Sequence, residues 1–307
     1  MGNLAIVMGK KCLVASGSAV DPEIEPAIGR AANFFGYYVQ KGGIPYGEHM
    51  PTQGGHCQNG KDNLAALLFA MMGDQPAATE YFTRMSVSGY NGREYGHTGQ
   101  GFSYLWGAMA ANLGGTNALA SYLAPVRWHL DLERRCDGSF VYDGQEQYGG
   151  SATYDYWNTV SYYGIDPTAS FVLTYGLPQQ QLLLTGRNAN PANWLSDVEV
   201  TNAIWAGGFA LACTNYTTNQ LISALGEYDP MVRYWAATQL GKMTTAAPLV
   251  PALTNLVASS TNPCVREAAC VALGVMANTT ALPVLAQALA GSRHLGASPG
   301  RPGDQKL

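Results

Sequence analysis

Charge is scarce in this chain. Asp, Glu, Lys and Arg make up 12% of its 307 residues, roughly half the usual share, so a folded surface has to rely on Tyr, Asn, Gln, Ser and Thr. A formal net charge of -4 leaves no general attraction to nucleic acid, and no basic stripe with interleaved aromatics occurs. Nucleic acid is not an expected partner. The cysteines at 12, 57, 136, 213, 264 and 270 form no CxxC pair and no tight spacing, which excludes a disulfide-rich scaffold and a zinc ribbon. No apolar run approaches the ~20 residues that cross a bilayer, so no membrane span is expected. Asn3 to Met8 is apolar but precedes Lys10 and Lys11, the reverse of a signal peptide's order, and reads as the end of a helix. No localisation follows. No serine sits in a GxSxG elbow, no GxGxxG follows a strand, and Gly114-Gly115-Thr116 lacks the lysine of a P-loop. These absences argue against a serine triad and a phosphate cradle, and no cofactor is called for.

What is present is helical periodicity. Residues 26 to 40 place Ile28, Ala31, Ala32, Phe35 and Tyr38 on one stripe and stop at Lys41-Gly42-Gly43. Residues 61 to 72 repeat the theme with Leu64, Leu67, Leu68 and Met71, end at Gly73, and are followed by an antiparallel partner over 76 to 85. A third helix spans 102 to 113 before Gly114-Gly115, and a fourth spans 118 to 136, interrupted by Pro125. The expected class is all-α: helical hairpins over 1–217, HEAT-like repeats over 218–291 and a disordered tail over 292–307. Long Gly/Tyr/His/Pro loops, at 42–60, 86–101 and 137–165, exceed ordinary connections and are expected to be functional. Asp137 to Gly144 has turn residues around an apolar/polar alternation, a pattern for a short hairpin.

The HEAT-like expectation rests on a repeat. Pro230, Val232, Arg233, Ala236, Leu240 and Gly241 recur 33 residues later as Pro263, Val265, Arg266, Ala269, Leu273 and Gly274, and Leu249 and Leu256 match Leu282 and Leu289. A helix pair with proline in the first turn and an interior arginine is the pattern of helices that stack to share a core.

The chemistry concentrates in the three loops. The first carries Tyr46, Glu48, His49, His56 and Asn59; the second Arg93, Glu94, Tyr95 and His97 among glycines at 92, 96, 99 and 101; the third Arg134, Arg135, Asp137, Tyr142, Asp143 and Glu146. Glu94 and Asp137 form the first carboxylate pair to consider, because glycosidic cleavage needs a proton donor beside the leaving oxygen and a second carboxylate as base or nucleophile. His97 serves as acid, base or orienting donor. Tyrosines and tryptophans supply stacking faces for sugars. The competing structural reading pairs Glu94 with Arg93 or Arg135 and makes Asp137 a turn cap. A polysaccharide lyase uses the same inventory, with Tyr95 or His97 as base and Arg93 or Asn59 neutralising a uronate. A zinc site drawn from His56, Cys57, His97, His129 and Cys136 lacks any recognised ligand spacing, and no metal is assigned.

The segments Ile44-Pro45-Tyr46-Gly47-Glu48-His49, Asn59-Gly60, Glu94-Tyr95-Gly96-His97-Thr98-Gly99, Arg127-Trp128-His129-Leu130 and Asp137 to Asp143 resemble a bacterial family of otherwise unknown function. Its members are similar to α/α-toroid proteins, the architecture of several glycan lyases and hydrolases and of terpene cyclases, followed by HEAT-like helices. The resemblance covers residues 1 to 290. It implies a partial α/α toroid over 1–217, and together with the loop inventory the expectation is a carbohydrate-active enzyme, a glycoside hydrolase with Glu94, Asp137 and His97 catalytic and with Tyr46, His49, Asn59, Arg93, Tyr95, Trp128, Arg135 and Tyr142 binding a carbohydrate substrate. Members of that family carry a PDZ-like module and further hairpins ahead of this region. A toroid lacking those hairpins exposes apolar helix faces, so a homo-oligomer is expected. A noncatalytic HEAT-like scaffold is the alternative from another class.

Overall fold

A computed structural model describes residues 2–45, 60–88, 103–140, 167–187, 190–243 and 247–295. The chain divides into two compact units, Met1–Ala210 and Leu211–Leu307. Both are all-α. The described residues contain no strand, and their one β feature is an antiparallel bridge between Arg134 and Phe140.

In the first unit, α1 spans Gly2–Ala15 and α2 Ile24–Gly36. The apolar start of the chain thus continues through Lys10 and Lys11 as one helix. On α2, Ile28 and Ala32 are buried, and the expected stripe faces inward at these positions. Beyond the end of α2 the chain turns at Gln40 and Gly42, both with positive φ.

The centre of this unit is a hairpin of α3, Gly60–Met72, and α4, Pro76–Ser88. Ala, Leu and Met make α3 a strong helix former. Gly73, at φ +81°, supplies the left-handed stop, and Pro76 occupies the first position of α4, where its missing N–H costs nothing. Almost every side chain from Asp62 to Met71 is buried, so α3 is apolar all round as a central helix must be. Phe69 of α3 stacks on Phe82 of α4 with ring centroids 5.8 Å apart, and neither is exposed.

The next hairpin pairs α5, Tyr104–Asn112, with α6, Thr116–Leu123. Gly107 lets them meet: a Cβ there would lie 2.0 Å from the Tyr122 hydroxyl. The helix expected over 118 to 136 is split. Pro125 has no N–H to continue α6, and a separate short α7 covers Arg127–Leu132. Helix α8 covers Thr168–Gly176 and α9 Asp197–Ala212.

The second unit contains α10, Thr218–Ala224, α11, Pro230–Lys242, α12, Val250–Ser259, α13, Pro263–Met276, and α14, Leu282–Leu295. Repeat symmetry extends to the caps. Asp229 and Asn262 hold φ/ψ of -80°/114° and -82°/115°, and each side chain accepts the N–H two residues on. The second helices match in a different register from the one read in the sequence. Val250 starts α12 and Leu282 starts α14, with Pro251 and Pro283 behind them, so Leu282 corresponds to Val250 and Leu289 to Val257. Counted from the opening proline, the second helix starts one residue earlier in the second repeat. Helix α14 also runs beyond residue 291, the expected end of the repeats, to Leu295.

Candidate functional site

Loop lengths in the first unit alternate. Residues 73–75 and 113–115 are tight turns, whereas 46–59, 89–102 and 141–166 are long and lie outside the described residues. The two tight turns occupy the same end of the helices, since Gly73, Pro76 and Leu113 line one groove. The segment that follows α8 reaches the same end at Thr185, because the Asn112 amide donates to Thr185 O at 3.2 Å. It follows that the start of α3, the end of α4, the start of α5 and the start of α8 face the opposite end. The Tyr122 hydroxyl on α6 donates to Ser103 O at 2.7 Å, bringing the end of α6 to the start of α5. All three long segments are therefore attached to one end.

Described residues at that end are unusually polar for their burial. Asp62, 1% exposed, accepts the Ile44 N–H at 2.8 Å, fixing the entry of the first segment. Glu133, just after α7, is 4% exposed. Sequence reasoning missed both carboxylates, although Asp62 sits in a Lys-Asp-Asn triple opening an apolar helix and Glu133 in Glu-Arg-Arg. A buried carboxylate is costly unless partnered, which makes such positions worth testing.

Of the expected site residues, three are described. Asp137 is exposed, and its Oδ1 accepts both the N–H and the hydroxyl of Ser139, at 2.9 and 2.7 Å. These hydrogen bonds, with the Arg135 guanidinium adding to them, hold its carboxyl below the usual range. The turn-cap reading of Asp137 is thus realised, and its carboxylate is ionised at neutral pH, a state suited to a base or nucleophile and not to a proton donor. Arg135 is exposed; its N–H donates to Ser139 O and its carbonyl accepts from Gly138 N. Only the Arg134–Phe140 bridge is formed in the described part of the expected hairpin. Trp128 is 60% exposed, with Nε1 donating to Pro125 O at 2.9 Å. Beneath this turn the Phe140 ring packs on Phe171 and Tyr175. The Tyr175 hydroxyl donates to Asp131, and burial together with that carboxylate pushes its pKa up to about 12, so Tyr175 is no base. Glu94, His97, Tyr46, His49, Asn59, Arg93, Tyr95 and Tyr142 lie outside the described residues.

Among the described residues no group of three or more His, Cys, Asp and Glu is placed to hold a metal ion. No described helix is long and apolar enough to cross a membrane.

A family of domains described as a domain of unknown function, DUF6288, matches residues 2–186, well over half of the chain. The chain belongs to this family. HEAT repeats match residues 218–295, so the repeat read from the sequence is a HEAT repeat. No curated protein and no solved structure matches. The DUF6288 match ends at 186, just after α8, and includes all three long segments and the hairpins that carry them.

Proposed function

We propose that the DUF6288 domain is a glycan-cleaving domain, a glycoside hydrolase of partial α/α-toroid architecture acting at the end where the three long segments attach. The observation that carries this reading is that shared attachment: segments holding Glu94, His97 and Tyr46 join the same end of the helices as the turn holding Asp137. Glu94 protonates the leaving glycosidic oxygen. Asp137, kept ionised by Ser139, serves as base or nucleophile. His97 orients the pair, Arg135 and Trp128 with Tyr46, His49, Asn59, Arg93, Tyr95 and Tyr142 hold the sugar, and the exposed Trp128 ring offers a stacking face.

A panel of chromogenic aryl glycosides, run beside uronate polymers followed in the ultraviolet for unsaturated products, tests the proposal. Release of the aryl group, lost on Glu94→Gln, supports it. Unsaturated product instead assigns a lyase with Tyr95 or His97 as base, and silence in both assays removes the enzyme reading.

An interaction scaffold is a second reading, favoured by α14. Val250 and Val257 in the first HEAT repeat are 7% and 4% exposed, whereas their counterparts Leu282 and Leu289 are 60% and 62% exposed. The proposed homo-oligomer belongs here too, and light scattering that returns a monomer at micromolar concentration removes it.

A further inference from the structure

A groove of about 810 Å³ opens at the tight-turn end of the first unit, the end remote from the long segments. That volume is within the ~300–1,000 Å³ of small-molecule sites. Leu67 and Met71 of α3, Leu113, Leu183 and Leu195 give it an apolar wall, and Trp194 stands at its side, 37% exposed. Gly115 seats this indole: at φ +92° it lies so close that a Cβ would be 2.7 Å from the ring.

The groove is lined by two cations and two carboxylates, Lys11, Arg187, Glu80 and Glu199, and they differ in how far they are already engaged. Lys11 and Arg187 are both exposed, and neither side chain forms an ion pair among the described residues. Its two acids are engaged already. Glu80 pairs with Arg84 at 3.4 Å, and Glu199 accepts the Ser196 N–H and hydroxyl at 2.8 Å each. Asn190 uses its Oδ1 on the Ala192 N–H, which leaves its amide hydrogens to offer. The Thr83 hydroxyl, on a residue 2% exposed and bordering the groove, has no hydrogen-bond partner. A buried hydroxyl left without a partner costs about 1–3 kcal/mol, so a ligand acceptor reaching it is favoured.

A cavity that offers cations and N–H groups beside an indole face selects a ligand rich in oxygen acceptors, negatively charged and with an apolar face. We infer that this groove binds an acidic oligosaccharide, a short chain of uronate sugars whose carboxylate meets Arg187 and Lys11 and whose C–H face lies on Trp194. The site is separate from the proposed cleavage centre and stands or falls independently of it.

Calorimetric titration of the full chain with trigalacturonate tests the inference, with a neutral galactose trisaccharide and inorganic phosphate as comparisons. Saturable binding of the uronate, weakened at least about tenfold in Lys11→Gln/Arg187→Gln and in Trp194→Leu but retained in Glu94→Gln, is the expected result. The two charge substitutions fall on exposed side chains, so folding is preserved, and unchanged circular dichroism verifies it. Absence of uronate binding overturns the inference, as does binding that survives the charge substitutions. Equal affinity for the neutral trisaccharide removes the role of the cations, and equal affinity for phosphate reduces the groove to a simple anion site; either overturns it.

Discussion

Arg233 and Arg266, 33 residues apart, perform the same bond. Nη1 of Arg233 donates to Glu227 O at 2.6 Å and to Tyr228 O at 3.0 Å, and Nη1 of Arg266 donates to Ser260 O at 2.7 Å, each reaching back six residues to the loop before its helix. The interior arginine of this HEAT repeat is thus a clasp that ties a helix to the turn preceding it. Arg233 is 5% exposed and Arg266 half-buried, so the two clasps differ in weight.

Arg233→Ala strips two part-buried carbonyls of a charged donor and is expected to lower stability by about 2–4 kcal/mol. Arg266→Ala, with one bond and more solvent, costs about half as much. Urea denaturation of the two variants measures both. Equal midpoints for Arg233→Ala and the parent would show that the clasp holds nothing.

Asp229 caps α11 from a fully buried position, and burial pushes its carboxyl up from 3.8 to about 6, against the opposing pull of the Met231 N–H and Arg233. An acid with a raised folded-state pKa binds its proton more tightly when folded. Its contribution to stability is therefore full below pH 3.8, declines as pH rises to about 6 and is constant above. Asn262 caps α13 in the same geometry without a charge, so Asp229→Asn should keep the cap, abolish this decline and leave the chain about 2–3 kcal/mol more stable at neutral pH. Stability of the two proteins compared across about pH 4 to 7 gives the answer: parallel curves sink the assignment.

Gly207 and Gly208 are neighbours on α9 with opposite surroundings. A Cβ on Gly207 would lie 2.1 Å from the Ser88 carbonyl oxygen at the end of α4, whereas one on Gly208 meets nothing within 4 Å. Backbone cannot swing aside as a side chain does. Gly207→Ala should destabilise the first unit by about 2 kcal/mol or more, and Gly208→Ala should be neutral to about 1 kcal/mol stabilising through helix propensity. Thermal unfolding of the pair isolates packing from propensity, and similar melting temperatures would deny the close contact.

The helices legible in the sequence were those with local punctuation: the glycine stop at Gly73, Pro76 opening α4, Gly114-Gly115 after α5, and the proline and arginine that recur at 33 residues. The features that escaped depend on segments far apart. Leu195 N donates to Gly114 O at 3.1 Å and the Asn117 amide to Asp197 at 2.7 Å across 80 residues, and these contacts build the groove. No periodicity encodes them. The burial of Asp62 depends likewise on Ile44, 18 residues away. The one-residue slip of the second HEAT helix escaped because Leu249 and Val250 are equally apolar, so the pattern alone fits either register. Of the proposed catalytic centre, the sequence named the loops and Asp137, and the structure added that their attachments share one end.

Asp137 is where that proposal meets a measurable property. Its carboxylate is fully exposed and held ionised by Ser139, so as base or nucleophile it should remain competent to unusually low pH, and the acidic limb of a turnover profile on an aryl glycoside should fall below the ordinary aspartate range. Ser139→Ala removes the hydroxyl donor and keeps the N–H, which should move that limb upward while sparing the basic limb. Asp137→Asn should abolish turnover with the melting temperature nearly unchanged, since the amide oxygen still accepts from Ser139 N, and Glu94→Gln should do the same by removing the proton donor. An acidic limb that stays in place in Ser139→Ala would separate Asp137 from the chemistry, even if the glycoside is cleaved.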